Sequence, residues 1–79
     1  MSEFPKKILS SLMFMGAQSP DRAMSIDELA GKLGMGRSAA ESELKSLVDA
    51  GYAKITDKSG TRSVYLTATG IITASSTYS

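Results

Sequence analysis

The chain has 79 residues, of which 42% are apolar and 22% charged, and it carries a formal net charge of +1 at pH 7. That length supports one small domain near the lower end of what folds alone, and the near-neutral balance neither demands nor forbids a polyanionic partner. With no cysteine and no histidine, disulfides, the usual zinc sites and histidine-dependent triads are excluded, and no apolar stretch approaches the length that spans a bilayer.

The first element is a helix. Ser2 or a neighbour can cap it, and Pro5 falls in its opening turn, where a missing N–H is tolerated. Ile8, Leu9, Leu12, Met13 and Met15 then share one broad face at helical spacing, and Gly16 ends the run. The lysines of MSEFPKK precede a short apolar stretch without a convincing small-residue cleavage site after it, which reads as a cytosolic first helix and places the protein in the cytoplasm. GAQSPDRAM follows as a loop, by its Gly, Ser-Pro and Asp content.

A second, short helix starts at SIDEL. Ser25 and Glu28 have the spacing of a capping box, Ile26, Leu29, Ala30 and Leu33 point inward, and Gly34 ends the helix in a left-handed conformation. Gly36 begins the third helix, RSAAESELKSLVDAGY. At 100° per residue, Ala40, Leu44, Leu47, Val48 and Gly51 cluster on one side, and Ser38, Ser42, Lys45, Ser46 and Asp49 cluster on the other. YAKIT and RSVYLT have the composition of strands, with DKSG as the hairpin turn; Ala53 and Ile55 face inward on one, Val64 and Leu66 on the other. Thr67 caps a brief fourth helix containing Ile71 and Ile72, so the domain spans 1–75 and a polar tail occupies 76–79.

Charge is unevenly spread along these elements. Lys and Arg against Asp and Glu number three to two over residues 1–24, three to five over 25–51 and three to one over 52–79. The hairpin is the basic part. Asp27, Glu28, Glu41, Glu43 and Asp49 lie at helical polar-face positions that define no cleft, so no catalytic residue, metal or cofactor is expected.

Helix, loop, helix, tight glycine turn, helix and β-hairpin is the element order of an α+β winged helix-turn-helix domain. At residue level, SIDELAGKLGMGRSAAESELKSLVDAGYAKI resembles the core pattern of the MarR- and ArsR-type transcription regulators of bacteria and archaea. The resemblance lies in Leu29-Ala30 and Leu33-Gly34, in Leu44, Leu47 and Gly51-Tyr52, and in YLTATG as a version of the Tyr-Leu-Thr-x-x-Gly that leaves the wing. It extends over nearly the whole chain, and every matching residue is a packing or turn residue; none reads a base.

The resemblance implies a sequence-reading protein whose partner is double-stranded DNA, with the third helix in the major groove and the hairpin wing on the backbone or minor groove. Arg37, Ser38, Ser42, Lys45 and Ser46 would then face the groove, the short hydroxyls letting the helix approach and the two cations reaching guanine edges or phosphates. Lys54, Lys58, Ser59, Thr61 and Arg62 would form the wing contacts. Read without the resemblance, the serines also suit a merely solvated face, and a charged hairpin also suits protection against edge pairing. Glu41 and Glu43 flank the serine face and would repel phosphate if close to it; they suit the rival reading, a winged helix that binds protein within a larger assembly. The resembling regulators carry longer flanking helices that build a dimer or an effector pocket, so no small-molecule effector is expected here.

Phe14 lies off the apolar stripe of the first helix. Either the fourth helix covers it, with Ile71 and Ile72, or these three residues form the interface of a homodimer, which would add a second half-site. Met13, Met15, Met24 and Met35 read as core and turn packing.

Overall fold

A computed structural model describes the backbone of residues 3–77 and the side chains of residues 6–76. The elements run α1 (Glu3–Phe14), a 3-10 turn (Pro20–Arg22), β1 (Met24–Ser25), α2 (Ile26–Leu33), α3 (Arg37–Asp49), β2 (Ala53–Lys58), β3 (Thr61–Leu66) and α4 (Ala68–Thr77). The strands form one antiparallel sheet in the order β1-β3-β2. This is the α+β winged helix-turn-helix arrangement that the element order predicts, with the β2–β3 hairpin as the wing. Ser2, the expected cap of α1, lies outside the described residues.

Helix ends are set by local chemistry. Ser25 accepts a hydrogen bond from the Glu28 N–H at 3.0 Å, satisfying one of the four free amides at the start of α2. The first three helices share one exit. After α3, the Gly51 N–H donates to the Val48 carbonyl and the Tyr52 N–H to the Leu47 carbonyl, at 3.0 and 2.9 Å, which is the paired Schellman closure; Gly51 adopts φ 86° to permit it. The same pair of bonds recurs around Gly16 and around Gly34.

Apolar side chains from every layer meet in one core: Ile8, Leu9 and Leu12 of α1, Ile26 and Leu29 of α2, Leu44 and Leu47 of α3, and Val64 and Leu66 of β3. Leu33, Val48 and Ile55 pack against it half-buried, and Gly51 is exposed beyond the end of its stripe. Met15 departs from expectation. It lies past the last residue of α1, where the chain turns toward the left-handed Gly16, and it is 48% exposed instead of extending the inward stripe. Met13, Met24 and Met35 do pack on or in the core.

Two further differences come from long-range pairing. Met24, read as loop, and Ser25, read as the helix cap, pair with Val64 and Ser63 of β3; the strand exists because β3 offers a free edge, and Met24 is drawn into the core by it. The fourth helix is longer than its apolar content suggests. It continues to Thr77, and Ala74 is fully buried, so the small side chain is what allows α4 to lie close to the core. The Thr67 hydroxyl caps α4 by accepting from the Gly70 N–H at 3.0 Å, and it ties the helix to the turn after α3 by donating to the Gly51 carbonyl at 2.6 Å. The Thr67 N–H also donates to the Tyr52 carbonyl at 3.1 Å.

Candidate nucleic-acid interface

The core-facing stripe of α3 fixes what its other side presents. Burial of Ala40, Leu44 and Leu47 turns Ser38, Ser42, Lys45 and Ser46 outward, and all four are exposed. Ala39 is exposed beside them, so the outer face is slim along most of its length. The tight turn between α2 and α3, from Gly34 to Gly36, sets α3 across α2 in the helix-turn-helix manner. Gly36 occupies the N-cap without a side-chain bond, leaving the first turn of α3 uncovered by a capping side chain.

The wing is a hairpin of two six-residue strands whose register runs from Ala53 opposite Leu66 to Lys58 opposite Thr61. Ser59 and Gly60 form its two-residue tip at φ 54° and 79°. Positive φ at both central positions is the type I′ geometry, whose twist matches that of the flanking strands. Strand alternation then divides the basic residues. Arg62 shares the helix-facing side of β3 with Val64 and Leu66, opposite Asp57. Lys54, Lys58 and Thr61 lie on the other side of the hairpin, with Tyr65. The ten residues expected to touch DNA are thus all at the surface, but those of the wing are spread over both of its faces.

Arg37 and Arg62 are engaged within the chain. Arg37 Nη1 donates to Asp27 Oδ2 at 2.7 Å, and Arg37 Nη2 stands 3.8 Å from Glu41 Oε1. Arg62 Nη1 donates to the same Glu41 oxygen at 2.9 Å. The result is a line of alternating charge, Asp27–Arg37–Glu41–Arg62, that runs from α2 across α3 to the wing. Its side chains are between 36% and 64% exposed, so each pair contributes at most about 1 kcal/mol to stability. Lys45, Lys54 and Lys58 form no ion pair among the described residues. The sequence puts Glu41 at the side of the serine face and four residues from Arg37, a spacing that brings the two together on one helix, but its bond to Arg62 is not legible there, because Glu41 and Arg62 are 21 positions apart.

Elsewhere α1 and α4 pack together, the Ser75 hydroxyl reaching Met13 Sδ at 3.7 Å. Ile71 packs half-buried against the chain's own core. Phe14 and Ile72 remain 77% and 68% exposed, so α4 does not cover Phe14.

The sequence matches no protein-family model and no curated relative. Solved structures are similar in fold. The oxidised form of MarR from Escherichia coli superposes with a TM-score of 0.85 at 22% identity, covering 99% of this chain and 53% of that one. The chain thus spans about half the length of MarR. A candidate DNA-binding protein from Ralstonia eutropha gives 0.85 at 20% identity, covering 100% and 99% of the two chains. The DNA-binding TubR fragment from Clostridium botulinum gives 0.79 at 21% identity, covering 96% and 95%. At these identities the likeness is one of fold, and the fold is the winged helix-turn-helix. No helix among the described residues is long and apolar enough to cross a membrane.

Proposed function

We propose that this chain is a small DNA-binding protein that regulates transcription in the cytoplasm, inserting α3 into the major groove and laying the β2–β3 wing on the backbone or minor groove. One observation carries the reading. The face of α3 turned away from the core is exposed and narrow, built of Ser38, Ser42 and Ser46 with Lys45 among them, which lets a helix backbone approach base edges while hydroxyls and an ammonium make the contacts. Arg37 and Arg62 adjoin that face, and Lys54, Lys58, Ser59 and Thr61 supply phosphate contacts from the wing. The DNA-binding TubR fragment and the candidate DNA-binding protein from Ralstonia eutropha, which share the fold, support the assignment. The chain acts as a homodimer through Phe14 and Ile72, with Ile71 beneath them, so that two half-sites are read together. No small-molecule effector enters this reading.

Fluorescence polarisation of a labelled random-sequence duplex, repeated at increasing salt, tests it. With about four to six phosphates neutralised, log K against log salt should fall with a slope of roughly −4 to −5. A flat response, or no binding at low ionic strength, would sink the proposal.

A further inference from the structure

Both guanidinium groups next to the α3 face are already held by carboxylates. Glu41 stands between them, one oxygen 2.9 Å from Arg62 Nη1 and 3.8 Å from Arg37 Nη2, and Asp27 takes the remaining Arg37 contact at 2.7 Å. A carboxylate and a phosphate offer a guanidinium the same acceptor geometry, and an arginine fork engages either one. Resting on the DNA-binding reading above, we propose that Glu41 is a positioning residue that acts as an internal phosphate mimic: it occupies Arg62 and Arg37 in the free protein and disfavours binding to arbitrary DNA.

The physical argument starts from the two elements joined. Glu41 belongs to α3 and Arg62 to the helix-facing side of β3. Their bond therefore sets the wing against the reading helix before any DNA is present. A backbone phosphate that approaches Arg62 either displaces Glu41 from Nη1 or takes the remaining N–H donors with the Glu41 carboxylate beside it; in both cases a carboxylate stands close to a polyanion. Non-specific contacts, which consist almost wholly of phosphate neutralisation, bear that penalty in full. A site whose bases also bond the α3 side chains offsets it. Because the penalty is common to every duplex it leaves the ratio of affinities unchanged, but it lowers binding to arbitrary DNA while a site with base contacts retains enough affinity to stay occupied. Lys45, Lys54 and Lys58 have no ion-pair partner among the described residues, so they attract any duplex and provide the initial encounter. Asp57, across the hairpin from Arg62, is the other carboxylate on that side of the wing; it lies on β2 and does not link the wing to α3.

Glu41→Gln tests the assignment because it keeps the size and an acceptor oxygen while removing the charge. On a random-sequence duplex at low salt it should bind on the order of three- to tenfold more tightly, with a salt slope steeper by about 1 to 2, the mark of one or two newly available cations. Glu43→Gln removes the same charge from the same helix, where Glu43 has no ion pair among the described residues, and should give less than half of that gain in log affinity. Arg62→Ala placed on top of Glu41→Gln should cancel most of the gain, in a double-mutant cycle read by both affinity and slope. Thermal melts of each variant establish that it is folded. A folded Glu41→Gln that binds as the parent does, or more weakly, overturns the proposal while leaving the DNA-binding reading in place. Equal gains from Glu41→Gln and Glu43→Gln overturn it too, since net charge would then explain both. If neither the parent nor Glu41→Gln binds duplex at low ionic strength, both readings fail.

Discussion

Replacing Gly70 with alanine should destabilise the domain, although Gly70 lies in a helix, where alanine is the better helix former by about 1 kcal/mol. A Cβ at this position would stand 1.9 Å from the Tyr52 carbonyl oxygen, 2.9 Å from its carbon and 3.2 Å from Leu66 Cδ2. The first of these contacts is with backbone, so relief requires α4 or the Gly51–Tyr52 turn to move by roughly 1.5 Å, which overpacking data put at about 1–3 kcal/mol. The movement also disturbs the bonds that join the two segments: the Thr67 N–H to the Tyr52 carbonyl, and the Thr67 hydroxyl to the Gly51 carbonyl. Each contributes about 0.5–1.5 kcal/mol. After subtracting the propensity gain, the net loss is roughly 1–5 kcal/mol, centred on ~3 kcal/mol, a large share of what a domain of this size possesses. In a thermal melt followed by circular dichroism the midpoint should fall by about 10–25 °C, and urea denaturation should give the same ordering. An alanine variant as stable as the parent, or more stable, would refute the close approach of α4 to the turn and leave only helix propensity acting at that site.

Other perturbations probe the wing, the reading face and the apolar patch. Ser59→Asn should stabilise by about 0.5–1 kcal/mol in the same melts, because Ser59 holds φ 54° at the tip of a type I′ turn and asparagine tolerates that conformation better. Lys58→Ala and Arg62→Ala should weaken binding to all duplexes alike and each make the salt slope shallower by about 1, whereas Lys45→Ala and Arg37→Ala should also relax sequence preference. Competition assays against a selected duplex and a random one separate the two patterns; uniform losses from all four changes would leave α3 without a reading role. Phe14→Ser should move the protein from dimer to monomer in sedimentation equilibrium and lower DNA affinity as the second half-site is lost. A parent that is monomeric at high concentration would exclude the homodimer.

Much of the fold was legible in local chemistry, and the limits of that legibility have a common cause. Periodicity placed Leu44 and Leu47 inward and Ser42 and Ser46 outward, Ser25 announced the start of α2, and Gly16 and Gly34 announced two helix ends, because each signal depends only on residues within about one or two helical turns. The sequence by itself therefore determined the element order, the core face of α3 and the slim hydroxyl face behind it. Tertiary structure decided the rest. Met24 and Ser25 became a strand only when β3 presented an open edge, and Gly70 became indispensable only when α4 came against Tyr52. The polar stretch from Ala74 carried α4 onward because Ala74 found a place in the core. Arg62 was legible as a basic wing residue but not as the partner of Glu41. Composition counts a charge wherever it stands, whereas an ion pair requires two long side chains to be brought within a few ångströms by elements that are distant in sequence, and that distance is set only when the hairpin folds back over α3.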